Sequence, residues 1–377
     1  MRPTYDIAIV GAGIVGASCA AECARNGLKV VVLDRGPVGG GATAAGMGHV
    51  VVMDDSEAQF ALTSFSRRLW QRLSPELPAD VEYNRCGTLW VAADRQEMAE
   101  VHRKLEFYSD RGVKVDLLDG HALAEAEPNL RRDLAGGLCV VEDAVIYPPA
   151  AARYLLERAK AHQAEVRTGV EVRCLTQAGE VVLADDTRVS AGLLVNAAGC
   201  WSPSLTPGLP IRKRKGHLVV TDRYPGYVRH QIVELGYLKS AQSVSSDSVA
   251  FNIQPRKTGQ VLIGSSRQFD AEHTDVDPGI LRRMLRRAVE YLPTIGRLSA
   301  IRTWAGHRAA TPDKLPLIGP SLECDKIWLA TGHEGLGITT SLATGSLLAG
   351  LILGRTTEIP VAPYLPARLA KGALQHG

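Results

Sequence analysis

The residues with the most specific spacing form a glycine loop near the N-terminus. Gly11, Gly13 and Gly16 follow the GxGxxG pattern, directly after the apolar run Tyr5–Val10. Asp34 ends the next apolar run, 18 residues after Gly16. In such a loop the first glycine permits a tight turn, the second admits backbone N–H groups to a pyrophosphate, and the third allows close helix–strand packing. The pattern predicts a dinucleotide half-site in which Asp34 accepts hydrogen bonds from the adenosine ribose; a turn without a ligand is the alternative.

Three further segments favour FAD over NAD, which shares this half-site. Residues 39–48 are almost free of large side chains and suit a backbone lying against an extended cofactor, although a bare surface loop has the same composition. Residues 195–201 end an apolar strand in small residues. Residues 332–337 open the final helix, whose positive end suits the electron-rich edge of a reduced flavin. We expect FAD to contact Gly11, Ala12, Gly13, Ile14, Val15, Gly16, Asp34, Arg35, Gly41, Ala42, Thr43, Ala45, Gly46, Met47, Gly48, Val172, Ala197, Ala198, Gly199, Trp201, Gly306, Gly332, His333, Gly335, Leu336, Gly337 and Ile338.

A parallel sheet is needed to bring these loops together. The pattern predicts a strand at Tyr5–Val10, a helix at Ala17–Asn26 and a strand at Leu28–Leu33, which form one strand–helix–strand unit. Helices are also predicted at Glu57–Leu73 and Arg95–Asp110. The predicted fold class is α/β with an α+β second domain: a Rossmann-like FAD-binding domain interleaved with an antiparallel-sheet substrate domain. Residues 1–84, 147–214 and 305–377 are assigned to the first domain, and residues 85–146 and 215–304 to the second.

Composition excludes several classes of protein. The 377 residues are 45% hydrophobic and 22% charged, as in an ordinary globular protein, so disorder and coiled coil are ruled out. The net charge of +3 is too close to balance for dedicated nucleic-acid binding. The seven cysteines are scattered without a CxxC pair, which predicts a reduced, cytoplasmic protein without a structural metal. The apolar stretch Ile338–Leu353 is too short and too rich in Ser and Thr for a transmembrane segment.

Across nearly its whole length the sequence resembles the D-amino-acid oxidase-like family of FAD-dependent oxidoreductases. The resemblance rests on the GxGxxG loop, Asp34-Arg35, the glycine-rich segment 39–48, the strand end 196–201, the segments 302–308 and 315–319, and the turn 331–337. It implies a D-amino-acid oxidase-like fold, an enzyme acting on CH–NH donors, and noncovalent FAD. A small amino or imino acid is the implied substrate.

Within that family the segments 216–222, 233–237 and 264–268 most resemble the FAD subunits of hetero-oligomeric D-hydroxyproline dehydrogenases. Opine dehydrogenases and cyanide-forming glycine dehydrogenases are the nearest alternatives. The resemblance implies oxidation of D-hydroxyproline to 1-pyrroline-4-hydroxy-2-carboxylate, by hydride transfer from Cα to flavin N5. It also implies a cytoplasmic complex in which partner subunits, one carrying a [2Fe–2S] cluster, pass the electrons on. FMN at a subunit contact is one route that the resemblance leaves open.

The resemblance points to Arg308 as the residue that binds the substrate carboxylate, since flavin oxidation needs the substrate clamped with Cα–H towards the ring. A surface arginine in an ion pair is the alternative. The tyrosine that shares this task in glycine oxidase is absent, because the corresponding stretch reads Phe251-Asn252-Ile253. This difference makes glycine a less suitable substrate. His49 is the second candidate catalytic residue, since it follows the glycine-rich segment and could approach the flavin; a packed histidine is the alternative reading for it and for His333.

Two other interpretations and one surface remain open at this point. An NAD-linked dehydrogenase would be colourless when purified and would bind NADH. A subunit that keeps a structural FAD without turnover would be indifferent to an Arg308→Leu substitution. The basic run 212–215 is typical of a solvated face, and docking of a phosphate or an acidic partner is the other interpretation.

Overall fold

The computed structural model describes residues 4–235, 247–269 and 271–369. Gly236 and Tyr237, part of one segment that carries the resemblance, lie outside these ranges. The described strands are β1 (Tyr5–Val10), β2 (Val30–Asp34), β3 (His49–Val50), β4 (Thr88–Ala92), β5 (Val115–Asp119), β6 (Gly136–Val140), β7 (Ala144–Val145), β8 (Glu165–Thr168), β9 (Val172–Leu175), β10 (Glu180–Leu183), β11 (Arg188–Asn196), β12 (Arg212–Arg223), β13 (Gln231–Glu234), β14 (Ser248–Pro255), β15 (Gln260–Phe269), β16 (Ala300–Ala310), β17 (Leu317–Pro320) and β18 (Ile327–Thr331).

The described α-helices surround two eight-stranded sheets and the two-stranded pair β3–β7. They are α1 (Ile14–Arg25), α2 (Gly41–Ala45), α3 (Glu57–Leu73), α4 (Arg95–Asp110), α5 (Gly120–Ala126), α6 (Pro148–Ala161), α7 (Ser202–Leu205), α8 (Pro278–Tyr291) and α9 (Gly337–Ile352). Helix α3 begins after Ser56, whose hydroxyl accepts from the Gln59 N–H at 3.1 Å, the usual N-cap arrangement. None of the described helices is long and apolar enough to cross a membrane.

The first sheet has the order β17-β18-β11-β1-β2-β8, with β10 and β9 continuing from β11. Strands β18, β11, β1, β2 and β8 run parallel, and β1 is buried on both faces. Helices α1, α3, α6 and α9 cover one face in a shared apolar core. This confirms the predicted strand–helix–strand unit and brings the carboxyl ends of β1, β2 and β11 to one edge.

The second sheet has the order β16-β12-β15-β14-β13-β4-β6-β5 and is antiparallel except where β13 pairs with β4. Helix α8 covers one face, where Tyr291 stacks on Phe251 with ring centroids 4.6 Å apart. The opposite face is turned towards the carboxyl edge of the first sheet. The cavity lies between this face and that edge. The first sheet draws its strands from the ranges predicted for FAD binding, while β12 and β16 cross the predicted boundaries at 214 and 304; the division into domains stays a prediction.

Candidate active site

A cavity of about 850 Å³ separates the two sheets. It extends from Asp34 at the end of β2, past the loops after β1 and β11, to Thr88 and Gln231 in the second sheet. This volume is within the range of small-molecule sites, roughly 300–1,000 Å³. One end of the cavity is therefore lined by the loops predicted to bind a dinucleotide, and the other end is lined by side chains of the second sheet.

Most of the predicted cofactor residues line this cavity. They are Gly11, Gly13, Ile14, Val15, Asp34, Arg35, Gly41, Ala42, Thr43, Ala45, Gly46, Met47, Val172, Ala197, Ala198, Gly199, Trp201, Gly306, Gly332, His333, Gly335, Leu336, Gly337 and Ile338. The lining does not include Ala12, Gly16 or Gly48. Gly16 packs against the Gly11 carbonyl and Gly48 against the Ile146 carbonyl, so both serve close backbone packing. The expectation that these three contact the cofactor finds no support in the lining.

The turn after β1 is built around Gly11 and Asp34. Gly11 has φ +118°, and a Cβ there would lie 2.8 Å from the Ala197 carbonyl carbon. Only glycine allows β1 and β11 to end this close together. The two carboxylate oxygens of Asp34 accept from the backbone N–H groups of Ala12 at 2.6 Å and Gly36 at 2.7 Å. Asp34 therefore fixes both loops, and its contact with a ribose stays a prediction.

The second glycine segment contributes a residue whose role the sequence pattern did not indicate. The Thr43 hydroxyl accepts from the Ile14 N–H at 3.0 Å, so Thr43, in helix α2, caps the first turn of α1. At the outer end of the cavity the Arg35 guanidinium lies 4.5 Å from the centroid of the Trp201 ring. This pair provides a flat, positively charged rim next to the turn after β2.

Histidine 333 lies in the turn before α9. Its Nε2 is 2.9 Å from the hydroxyl of Thr344, which lies within helix α9. Burial lowers the pKa of His333 to about 3, so the ring is neutral at physiological pH. The hydrogen bond to α9 favours the packed-histidine interpretation.

Arg308 lies on β16 and reaches across its neighbour in the sheet. Its Nη1 donates to the Ser266 carbonyl on β15 at 3.0 Å, although β12 separates the two strands. The guanidinium passes over Gly216 of β12, where a Cβ would come within 2.8 Å of Cζ. Arg308 also lines the cavity, so the structure brings it to the same chamber as the glycine loops.

His49 also lines the cavity, beside the second glycine segment. Burial lowers the pKa of His49 to about 4; Asn252 opposes this shift and the charge of Arg308 adds to it. Its Nε2 is buried and has no hydrogen-bond partner among the described residues. A neutral imidazole near a guanidinium can accept a hydrogen bond from a ligand, and its lowered pKa makes it a weak base.

The far wall was not predicted from the sequence. Strands β4, β13 and β14 contribute Thr88, Trp90, Gln231, Val233 and Asn252 to the lining. These residues come from separate parts of the chain and form no local motif. Of the stretch that replaces the glycine oxidase tyrosine, Asn252 lines the cavity, whereas the described contacts place Phe251 and Ile253 in the core under α8.

A buried carboxyl group supports this wall. Asp143 accepts from the Thr88 hydroxyl at 2.7 Å and from Arg67 at 3.2 Å. Thr88 in turn accepts from the Gln231 amide at 3.0 Å. Burial raises the pKa of Asp143 to about 6, against the opposing effect of Arg67. The chain of hydrogen bonds ties the interior of the protein to two residues of the cavity wall.

The interpretation of the basic run 212–215 as a solvated face was wrong for two of its four residues. Arg214 and Lys215 are buried in β12, which lies between β16 and β15. Arg214 forms an ion pair with Glu334 of the turn before α9, and both residues line the cavity. A central strand buries both of its faces when other layers cover them, whatever the charge of its residues.

The residues present fit an FAD molecule. Bare backbone from three loops lines the cavity from Asp34 inwards, and a Cβ on Gly306 would overlap Ala45. The arrangement leaves a space lined mainly by glycine, alanine and backbone at the end near Asp34, with the Arg35–Trp201 pair at its rim, and charged and amide side chains at the other end. Among the described residues no cluster of three or more His, Cys, Asp or Glu side chains could hold a metal ion.

Comparison with known proteins agrees with this arrangement. Residues 6–351 match the family described as FAD dependent oxidoreductase, DAO. The glycine oxidase of Pseudomonas aeruginosa is 30% identical, over 96% of this chain and 98% of its own length. The hydrogen cyanide synthase subunit HcnC of the same species is 28% identical, over 98% and 97%. The crystal structure of glycine oxidase from Geobacillus kaustophilus has a TM-score of 0.87 and 26% identity, covering 97% of this chain and 98% of that one. The predicted fold class is confirmed.

Proposed function

The chain belongs to the family of FAD-dependent oxidoreductases, and from that premise we propose that it oxidises D-hydroxyproline to 1-pyrroline-4-hydroxy-2-carboxylate. Family membership confirms FAD as the cofactor and sets aside the NAD-linked alternative. The observation that carries the proposal is the position of Arg308: its guanidinium shares one cavity with the glycine loops. A guanidinium can bind the carboxylate of an amino acid in two parallel hydrogen bonds.

The reaction converts a secondary amine to an imine. The substrate loses a hydride equivalent from Cα and a proton from nitrogen, and a C=N bond replaces the C–N single bond. Bound FAD supplies the acceptor for the electron pair. The chain's own task is to hold the carboxylate, orient Cα and exclude water.

Arg308 and His49 divide this task by charge. Arg308 binds the carboxylate, and its position is set by the hydrogen bond to the Ser266 carbonyl. His49, whose pKa is lowered to about 4 by burial, is neutral at pH 7 and can accept a hydrogen bond from the substrate nitrogen, but it is too weak a base to keep that proton, which passes to solvent. This arrangement favours binding of an amino acid through its carboxylate while its amine becomes neutral.

The choice of D-hydroxyproline depends on the segments 216–222, 233–237 and 264–268. Apart from Leu235, which directly follows β13, their described residues lie on β12, β13 and β15 of the second sheet. They contribute Gly216, Val233 and Ser265 to the cavity lining. A resemblance that lies on the cavity wall bears on substrate choice, whereas one on the far surface would not. The amide side chains of Gln231 and Asn252 on the same wall suit a substrate with a polar ring substituent.

The visible spectrum of the purified protein, followed by anaerobic titration, tests the proposal. We expect a flavin spectrum that D-hydroxyproline bleaches, and an imino-acid product that borodeuteride reduction converts to hydroxyproline one mass unit heavier, as detected by mass spectrometry. Arg308→Leu should keep the flavin and lose bleaching at the same concentration. Arg302→Leu is the matched control, because Arg302 lies exposed on the same strand, β16. A flavin spectrum that no secondary amino acid bleaches would refute the substrate assignment.

Glycine or sarcosine oxidation is the second candidate, because a glycine oxidase is 30% identical over nearly the whole chain. Asn252 argues against it, since it lines the cavity where the resemblance predicts a tyrosine. Bleaching by glycine or sarcosine, but not by D-hydroxyproline or D-proline, would decide for this candidate; bleaching by an opine would point to the opine dehydrogenases instead.

We further propose that the electrons leave through partner subunits in a cytoplasmic complex, one of which carries a [2Fe–2S] cluster, with FMN at a subunit contact as one route. The name of the relative HcnC, a hydrogen cyanide synthase subunit, supports such an assembly. We expect the substrate-reduced protein to reoxidise slowly in air. Reoxidation by oxygen at the rate of turnover would identify an oxidase instead.

A further inference from the structure

We propose that Ser266 and His217 are positioning residues for Arg308: together they fix the backbone carbonyl to which its guanidinium donates. The inference rests on the proposed function, in which Arg308 binds the substrate carboxylate. Neither residue belongs to the cavity lining, so neither touches the substrate. Their effect on the reaction passes through the direction in which Arg308 points.

The carbonyl that accepts from Arg308 lies at a break in the hydrogen-bond ladder between β12 and β15. Lys215 pairs with Gln268 and Val219 with Ile263, so four steps along β12 face five along β15. The extra residue makes this a β-bulge, a feature that redirects backbone and side-chain groups next to active sites. Within the bulge the ladder is interrupted, and the Ser266 carbonyl accepts from Arg308 Nη1 at 3.0 Å.

The Ser266 hydroxyl takes over the pairing that the ladder has lost. It accepts from the His217 backbone N–H at 2.9 Å, a bond that links β12 to β15 inside the bulge. The same hydroxyl lies 2.8 Å from His217 Nδ1. Ser266 is therefore held at two points on one neighbour, and its carbonyl has little freedom to turn.

The tautomer of His217 follows from its other contact. Its Nε2 accepts from the Asp277 backbone N–H at 3.0 Å, so Nε2 carries no proton. The proton of the neutral ring is then on Nδ1, which donates to the Ser266 hydroxyl. Since the His217 side chain is fully buried, the ring cannot exchange these partners for water. The order of donation runs from Asp277 through His217 to Ser266, without a conflict between donors.

Gly216 also determines where the Arg308 guanidinium can lie. It lies next to His217 on β12 and leaves open the path of the Arg308 side chain, which would otherwise meet a Cβ within 2.8 Å of Cζ. The guanidinium thus lies on a backbone surface and donates to the Ser266 carbonyl. A shift of that carbonyl by about 1 Å would move the carboxylate site by a similar amount, a displacement of the size that costs ~10²-fold in rate.

The test compares two ligands that cannot be oxidised and differ in charge: pyrrole-2-carboxylate and pyrrole-2-carboxamide. Their dissociation constants for the FAD-loaded protein are measured by isothermal titration calorimetry. We expect the wild type to prefer the carboxylate by at least about tenfold, as for one charge-assisted hydrogen bond. Ser266→Ala should remove most of that preference with little change for the carboxamide, and Ser266→Thr, which keeps the hydroxyl, should restore it.

The matched control is Ser248→Ala, on the neighbouring strand β14, which should keep the wild-type preference. Should Ser266→Ala fail to fold, His217→Leu tests the same carbonyl from the other side of the hydrogen bond. A preference unchanged in both variants overturns the inference, and so does an equal loss for the two ligands, which would mean general damage to the cavity. A wild type without preference would instead refute carboxylate binding by Arg308, and with it the proposed function.

Discussion

Replacing Gly216 with alanine should displace the Arg308 guanidinium without altering its charge. Gly216 is not among the glycines with positive φ, so the backbone accepts alanine. The new Cβ would lie 2.7 Å from Nη2 and 2.8 Å from Cζ, whereas ordinary contact begins at 3.4 Å. Arg308 Nη1 would lie closer still, so the guanidinium must retreat by roughly 1 Å, and its bond to the Ser266 carbonyl lengthens or breaks.

A displacement of this size should lower kcat/KM for an amino-acid substrate by ~10²-fold, equivalent to about 2.7 kcal/mol of transition-state stabilisation. We expect the flavin content to be unchanged, because Gly216 is not among the residues expected to contact FAD. Anaerobic stopped-flow reduction of the flavin measures the rate as a function of substrate concentration. Gly296→Ala is the matched control, since its Cβ would meet Val289 at an ordinary 3.7 Å.

A double-mutant cycle shows whether the effect passes through Arg308. In an Arg308→Leu background the alanine at position 216 has no guanidinium to displace, so it should cost less than about 0.5 kcal/mol further. The reasoning would be refuted if the alanine cost as much in that background as in the wild type. It would also be refuted if Gly216→Ala released the flavin, because the effect would then lie in cofactor binding.

Three other outcomes follow from the structure. Gly11→Ala should yield protein with little bound flavin, measured by its visible absorbance, because the new Cβ overlaps the Ala197 carbonyl. Arg67→Met leaves the Asp143 carboxylate buried without its cation and should lower the free energy of unfolding by about 3–5 kcal/mol, measured in urea at pH 8. The loss should be smaller at pH 5, because burial raises the pKa of Asp143 to about 6 and the carboxyl group is then protonated. Burial lowers the pKa of His333 from 6.5 to about 3, so the unfolded chain binds the extra proton and stability falls as the pH drops below 6.5; His333→Asn should flatten the fall in melting temperature between pH 7 and pH 4.

The parts of the fold set by local pattern were predictable. Strand Tyr5–Val10 and helix Glu57–Leu73 have the predicted bounds, because a buried parallel strand and an amphipathic helix each leave a periodicity within a few residues. Gly27 ends the first helical segment with φ +84°, as a C-terminal glycine should. The dinucleotide end of the cavity was predictable for the same reason, since each of its loops is continuous in sequence.

The substrate end was not predictable, because it is assembled across strands. Gln231 and Thr88 are hydrogen-bonded at 3.0 Å although 143 positions separate them, and this pairing depends on β13 lying parallel to β4. No spacing in the sequence encodes that neighbourhood. The interpretation of the basic run 212–215 as a solvated face was wrong for a related reason. Its charges are typical of a surface, but β12 lies inside a sheet and buries Arg214.

Arg308 itself lies between these two cases. The resemblance pointed to the residue, but its proposed function depends on three strands: β16 carries the side chain, β12 leaves the path over Gly216 open, and β15 offers the Ser266 carbonyl at the bulge. A side chain at position 216 and a guanidinium from position 308 compete for the same space. From the proposed role of Arg308 we expect a related protein with a larger residue at the position of Gly216 to hold the guanidinium elsewhere, even when the arginine is retained.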